Sequence, residues 1–531
     1  MQREHMSTSR CAAAILTLGL TTLSAAGGLQ SPPPDKPAAV VAVTAGQISG
    51  TVVDGVAVYR GIPYAAPPLV EWRWRAPQPA QPWAGVRDGT KFGATCTASE
   101  DCLYVNVYKP ADARPDARLP VMVWIYGGGF TGGASNQYEG TNFVKRGVVY
   151  VSFNYRLGRA GWFSHPALTK NAPKNESVSN YGLQDQIAAL KWVQANVGAF
   201  GGDNRNVTIF GESAGGVSVN YLMTVPEAKG LFNKVISESG FGRTDPAPLA
   251  ESEQAGAAFF STLGISGDSV DTSKAMREIP FAQLAGRLVL GAAGPIRDGK
   301  LLMMGTAEAF TKGLEAGVPY MLGSNSNEAS LWPAENLPAR LELIRSAAGG
   351  LGPYDAAGRG EPARTIGLIV TDYYNTEPDR LLSRTHTASG QPVYRYHFSY
   401  VPPSSRNGLG LGHGGEINYV FGRATANPED AATSAAANAY WVAFAKSSNP
   451  GSAGGPAWPK YDRTTETALE FGVDGIHPRT KFLTDRLDWM EQHSEQVSAS
   501  AAAAGVPVVA ARTTGFGRGA ATGPSPSQPR R

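Results

Sequence analysis

Phe200-Gly-Gly-Asp-Asn-Arg-Asn-Val-Thr-Ile-Phe-Gly-Glu-Ser-Ala-Gly215 sets Ser213 in a Gly-x-Ser-x-Gly frame. Val207–Phe210 reads as a short apolar strand and Val217–Met223 as the start of a helix, so Ser213 falls on a strand-to-helix turn. A tight turn of that kind lifts a serine hydroxyl clear of a sheet. Gly211 and Gly215 fit the crowding, because side chains there would clash. A serine hydroxyl is a weak nucleophile at neutral pH and needs an adjacent base. Histidine suits that task, since its pKa lets it take and return a proton. Five of the seven histidines (His386, His397, His413, His477 and His493) follow Ser213 in the chain. His397 lies on the polar face of an expected strand, which fits a solvated or core-capping role. His413 lies in Gly408-Leu-Gly-Leu-Gly-His-Gly-Gly415, a glycine-dense loop able to hold an imidazole at a sheet edge. A carboxylate must orient that imidazole. Glu328, in Gly323-Ser-Asn-Ser-Asn-Glu-Ala329, follows an expected strand, and Asp298, in Pro295-Ile-Arg-Asp-Gly299, is its competitor. Acyl transfer also needs donors aimed at a developing oxyanion. Tyr126-Gly-Gly-Gly129 offers unencumbered backbone N–H groups just behind a strand.

These residues need a scaffold, and the chain supplies the pattern of one. Ile48–Tyr59 holds an Asp-Gly turn between β-rich flanks, a hairpin signal. Leu103–Tyr108, Val121–Tyr126 and Val148–Phe153 are short β-rich runs, the last two nearly continuous in apolar character, as in strands buried on both faces. Leu183, Ile187, Leu190, Val193 and Val197 recur at helical spacing between Asn180 and Gly198. Lys234–Ser237, Val318–Gly323 and Val393–Tyr400 read as later strands. In the last of these, Tyr394, Tyr396, Phe398 and Tyr400 form one face and Arg395 and His397 lie on the other. Glu251–Leu263, Leu337–Ala348 and Tyr440–Lys446 read as helices. Strands alternating with helices imply a parallel or mixed sheet covered on both sides.

At 531 residues the chain has room for one large α/β unit. A net charge of +3, with no basic run or aromatic-interleaved basic patch, disfavours nucleic acid. Residues 1–26 resemble a signal peptide: Arg3 and Arg10 precede a short apolar run from Cys11 to Leu20, and Ser24-Ala-Ala26 is a small-residue cleavage site. That run is too short and alanine-rich for a membrane span. Secretion or a periplasmic location is therefore expected. Removing the leader leaves Cys96 and Cys102, either a disulfide closing a small loop in an oxidising compartment or two reduced thiols. Residues 27–45 read as a flexible lead-in, 46–495 as the catalytic domain and 496–531 as a disordered tail. No cofactor or metal is called for, since no ligand set with zinc spacing is visible. The sequence sets no oligomeric state.

Glu100-Asp-Cys-Leu-Tyr-Val-Asn-Val-Tyr-Lys-Pro110 and the Phe200–Gly215 stretch resemble the two signature patterns of the type-B carboxylesterases, the group that includes cholinesterases. Gly61-Ile-Pro-Tyr-Ala-Ala-Pro-Pro68, Trp124-Ile-Tyr-Gly-Gly-Gly-Phe130, Asn180-Tyr-Gly-Leu-Gln-Asp-Gln186 and His413-Gly-Gly-Glu-Ile-Asn-Tyr-Val-Phe-Gly422 also look like family landmarks, in family order. The resemblance implies an α/β-hydrolase fold: a mostly parallel central sheet flanked by helices, with helical insertions over an active-site gorge. It implies hydrolysis of carboxylic esters by a Ser213, Glu328 and His413 triad, with Gly128, Gly129 and Ala214 as oxyanion donors. Glu212 and Ser239 match supporting positions near the serine and histidine. Family members usually carry Asp-Glu where this chain has Asn327-Glu328, a departure that leaves the acid in place. The motif of Asp298 looks structural. Only Thr97–Asp101 separates the cysteines, so the long cholinesterase loop with its choline-stacking tryptophan is absent, and a quaternary ammonium substrate is disfavoured. The expected partner is a small ester. The alternatives are the same machinery acting on amides or lactones, and a non-catalytic family member that binds a partner. Phe130, Phe241, residues 330–345 and the loop before His413 are expected to line the gorge. Arg243 and Arg297 could favour an anionic acyl group, although both fit an exposed surface.

Overall fold

The computed structural model describes residues 36–503 apart from 175, 244, 286–292, 332–336 and 407. The expected leader and the tail beyond residue 503 lie outside the described residues. Fifteen strands are present among the described residues: β1 (Lys36–Val43), β2 (Gly46–Val53), β3 (Val56–Pro63), β4 (Val86–Asp88), β5 (Tyr104–Pro110), β6 (Leu119–Ile125), β7 (Val149–Phe153), β8 (Gly202–Glu212), β9 (Lys234–Glu238), β10 (Ala247–Pro248), β11 (Ile296–Arg297), β12 (Tyr320–Asn325), β13 (Val393–Phe398), β14 (Ala468–Gly472) and β15 (Gly475–Arg479). One sheet runs β1-β2-β3-β5-β7-β6-β8-β9-β12-β13-β14-β15, with β4 added beside β2, and β10 and β11 form a separate pair. From β7 through β14 every neighbouring pair is parallel, whereas β1, β2, β3, β5 and β7 pair antiparallel in turn, as do β14 and β15, and β4 lies parallel to β2. This is the α/β-hydrolase arrangement that the motifs imply.

Strands β6 and β7 at the centre of the sheet are nearly continuous in apolar character because both of their faces are buried. Val121, Val123, Trp124 and Ile125 of β6 are fully buried, as are Val149, Tyr150 and Val151 of β7. Helix Tyr181–Asn196 follows the predicted periodicity, and helix Ala214–Thr224 springs directly from the Ser213 turn. Register then aligns the strand ends. Ile125 pairs with Gly211, Glu212 with Glu238, and Gly323 with both Glu238 and Tyr396. The carboxyl ends of β6, β8, β9 and β12 therefore meet at one edge, where open α/β sheets carry their sites.

Several expectations need correction. Lys36–Val43, read as flexible lead-in, is strand β1. Val40, Val41 and Val43 favour extended backbone, and pairing from Val43↔Gly46 to Lys36↔Val52 makes a hairpin with β2. Residues 496–503, read as tail, continue helix Thr484–Ala503, whose alanines are good helix formers and whose Val497 is buried. The helix seen at Tyr440–Lys446 starts earlier and spans Pro428–Ser447. Asn427 caps it by accepting the Asp430 N–H at 2.9 Å, and Pro428 suits the first turn. The face of β13 carrying Arg395 and His397 is not solvated. Both residues are buried, because this strand too is parallel and covered on both sides, and burial pushes the His397 pKa down to about 3. Cys96 and Cys102 form a disulfide.

Candidate active site

Ser213 sits between β8 and helix Ala214–Thr224 with φ 57° and ψ −123°, a backbone that costs an L-residue energy and persists only where its surroundings impose it. The surroundings here are two glycines against β6. A Cβ on Gly215 would lie 1.9 Å from the Ile125 carbonyl oxygen, and one on Gly211 would lie 2.5 Å from the same atom. The Ser213 N–H donates to the Glu238 carbonyl at 3.0 Å, and its carbonyl accepts the Val217 N–H at 2.8 Å. Ser213 stays half-exposed while Glu212 and Ala214 are buried. The predicted turn is formed, and it leaves the serine accessible.

The glycine loop behind β6 closes on this turn. A Cβ on Gly127 would lie 2.9 Å from the Cβ of Ser213, so the loop passes directly beside the serine. Gly128 and Gly129 have φ of 106° and 60°, which turn their amides in a way that side chains would resist. Among the described residues no hydrogen bond engages the N–H groups of Gly128, Gly129 or Ala214. Tyr155 braces the loop root, its hydroxyl donating to the Tyr126 carbonyl at 2.7 Å and its ring stacking on Tyr126 at 4.6 Å.

His413 and Glu328 arrive from two loops that are stitched together. The Glu328 loop follows β12 and pairs with the histidine loop through Asn327 and Gly412. Leu411 N–H donates to Ser326 Oγ and His413 N–H to Ser330 Oγ, both at 2.9 Å, while Asn325 Nδ2 reaches the Gly412 carbonyl at 3.1 Å. His413 Nδ1 is hydrogen-bonded to Glu328 Oε2. The other oxygen, Oε1, accepts the Ser239 hydroxyl at 2.6 Å and the Asn325 N–H at 2.7 Å, so the carboxylate is held by both ends. Ser239 thus bonds Glu328 rather than Ser213 or His413. Glu212, the residue before Ser213, brings Oε1 to 3.1 Å from His413 Nε2, without hydrogen-bond alignment. The elbow, the acid loop and the histidine loop therefore converge.

Electrostatics follow from burial. Desolvation lowers the His413 pKa, but the carboxylates of Glu212 and Glu328 outweigh it and raise the imidazole to about 9. Burial raises Glu212 to about 7, opposed by His413 and assisted by Glu328. Glu238 is raised to about 8 by burial, although Trp441 Nε1 donates to it at 2.8 Å. Glu416, bonded by Asn325, is also raised by burial and by the neighbouring glutamates.

The remaining candidates are placed elsewhere. Asp298 accepts Ser179 Oγ at 3.1 Å and the N–H groups of Lys300, Leu301 and Leu302, which makes it the organiser of its own turn. Arg243 pairs with the buried Glu377, Nε to Oε2 at 2.8 Å, and Arg297 lies 3.7 Å from Asp245. Both cations are thus already neutralised. A cavity of about 370 Å³ lined by Trp74, Ala167, Leu168, Val178 and Arg277 contains none of Ser213, Glu328 and His413. No group of three or more potential metal ligands is present among the described residues, and no described helix is long and apolar enough to cross a membrane. Sequence reasoning missed Ser326, Ser330 and Asn325, small polar residues whose role exists only once the two loops meet.

The model of the Carboxylesterase family matches residues 37–347 and 352–487. The chain is 34% identical over 512 residues to the Fumonisin B1 esterase of Sphingopyxis macrogoltabida, covering 88% of this chain and 92% of the relative. It is also 34% identical over 491 residues to the para-nitrobenzyl esterase of Bacillus subtilis, covering 81% and 94%. The solved carboxylesterase of Geobacillus stearothermophilus superposes with a TM-score of 0.74 at 30% identity, over 85% of this chain and 99% of that one. The fold, the converged loops and these likenesses together make the chain a member of the carboxylesterase family and an ester hydrolase.

Proposed function

We propose that the chain hydrolyses small, uncharged carboxylic esters through an acyl-enzyme on Ser213. Ser213 Oγ attacks the ester carbonyl as His413 takes its proton, and Glu328 keeps the imidazole in the tautomer that accepts at Nε2. The tetrahedral oxyanion is met by the N–H groups of Gly128, Gly129 and Ala214, and collapse expels the alcohol with the proton from His413. Water, activated by the same histidine, then releases the acid and restores Ser213. The observation carrying this reading is the Glu328–His413 bond beside the Ser213 turn, with Glu212 linking the two at 3.1 Å. Unengaged amides at Gly128, Gly129 and Ala214 support the oxyanion assignment. Neutralisation of Arg243 and Arg297 favours uncharged acyl groups over anionic ones. The names of relatives point the same way, as two of them are called esterases. The leader pattern and the Cys96–Cys102 bridge support export to the periplasm or the medium.

Ser213→Ala tests the chemistry. Hydrolysis of p-nitrophenyl acetate should fall by about 10³-fold or more while the circular dichroism spectrum is unchanged. Near-wild-type turnover in that variant would falsify the mechanism.

A further inference from the structure

Behind His413, helix Pro362–Thr371 passes into helix Glu377–His386 through a π-helical turn, Asp372–Thr376. Pro378 explains the turn: it has no N–H to give the carbonyl four residues back, and its ring crowds that carbonyl, so the helix widens there. The Glu377 N–H closes the wide turn on the Asp372 carbonyl, and Arg395 donates to the Thr376 carbonyl at 3.1 Å. π-turns within helices recur at functional sites, and this one carries Tyr374, Asn375 and Glu377 toward the segment after β9.

That segment is strained. Ser239 and Phe241 have φ of 49° and 46°, the left-handed region that disfavours residues with a Cβ. Each is held by a specific partner. Ser239 is tied to Glu328, as described above. The Phe241 N–H donates to Asn375 Oδ1 at 3.1 Å, and Arg243, two residues on, is paired with Glu377. Asn375 is fully buried and its Nδ2 has no hydrogen-bond partner, so the acceptor is the half of the amide in use. The outcome is the placement of one ring. Phe241 lies 5.7 Å from the His413 imidazole at 54°, and 6.2 Å from Tyr374.

We propose that Asn375 is a positioning residue that holds Phe241 against His413 and thereby determines which acyl groups the site accepts. The inference rests on the esterase reading of Ser213 and His413. An ester carbonyl within reach of both residues must carry its substituents past the apolar wall beside the imidazole. The Asn375 side chain, by accepting the Phe241 N–H, supports that wall at a residue whose backbone is left-handed. Without the acceptor, Phe241 can relax toward an ordinary φ and its ring moves.

The test compares full-length wild type, Asn375→Ala, Asn375→Leu, Phe241→Ala and the double variant Asn375→Ala/Phe241→Ala on p-nitrophenyl acetate, butyrate and octanoate. Asn375→Leu keeps approximately the side-chain volume and removes only the acceptor, which guards against a folding defect. Each Asn375 variant and Phe241→Ala should change the octanoate-to-acetate ratio of kcat/KM by about fivefold or more, a size typical of altered apolar pockets. In the Phe241→Ala background, Asn375→Ala should leave that ratio unchanged. A uniform loss for all three esters, an unchanged ratio in Phe241→Ala, or a shift that persists without Phe241 overturns the proposal. Turnover that Ser213→Ala fails to abolish would overturn the esterase reading instead.

Discussion

Around Ser213 the constraint is steric: Gly211 and Gly215 admit no Cβ because the Ile125 carbonyl occupies the space. Around His413 the constraint is polar, built from Ser326, Ser330, Asn325, Ser239 and Glu328 bonded across loops nearly 90 residues apart. The first region is specified by a few consecutive residues against one neighbouring strand. The second exists only when β12 and β13 lie side by side in register. Steric sites fail abruptly when violated, since overlap energy rises steeply, whereas hydrogen-bonded sites degrade by the worth of each bond.

The sharpest test of that contrast is Gly215→Ala. Its Cβ cannot avoid backbone atoms, so a loss of folding stability of about 3 kcal/mol or more is expected, together with loss of ester hydrolysis. Thermal unfolding measures it, and an unperturbed Tm would show that the turn has slack. Glu328→Gln probes the other region without a volume change. The amide oxygen can still accept from Ser239 and Asn325, which turns its NH₂ toward His413 Nδ1 and forces the wrong tautomer. A fall in kcat of about 10³–10⁴-fold in a folded protein is expected. A fall below tenfold would mean that the acid does not orient the base.

Glu212→Gln should act through charge alone. The imidazole must be neutral to accept a proton, so activity rises as pH passes upward through the His413 pKa of about 9. Removing the Glu212 carboxylate removes a group that favours the imidazolium. The acidic limb of kcat/KM should therefore move down by about one pH unit. A limb that stays in place would locate the titration elsewhere. The smallest effect is expected for Ser330→Ala, which deprives the His413 N–H of its acceptor. One neutral hydrogen bond is worth about 1 kcal/mol, so kcat should drop about two- to fivefold. A hundredfold drop would mean that the histidine loop is as unforgiving as the elbow.

The same division runs through the fold. The strands β5, β6, β7, β8 and β9 and the helix Tyr181–Asn196 are legible because apolar runs and 3.6-residue spacing are local signals. The Asp54-Gly55 turn marks the hairpin of β2 and β3, whereas β14 and β15 are joined by Val473-Asp474, a pair without that signal. β1 was obscured by the Pro- and Ala-rich segment in which it begins. Alternation places His397 on a polar face, since it carries no sign of a second layer of helices beyond the strand. The π-turn had a cue in Pro378, but nothing local connects Asn375 with Phe241, 134 residues away.

The sequence alone pointed to the reaction class and proposed Ser213, Glu328 and His413, in that chain order, as its triad. Those assignments depend on backbone demands that a few adjacent residues meet or fail, and on motifs long enough to carry a resemblance. Only the tertiary structure decided that Ser239 holds Glu328, that Glu212 faces the imidazole, that Arg243 and Arg297 each meet a carboxylate, and that Asp298 organises its own turn. Each of these depends on which distant group a side chain meets after burial. Pairing and desolvation, not residue type, decide what a buried charge or hydroxyl does.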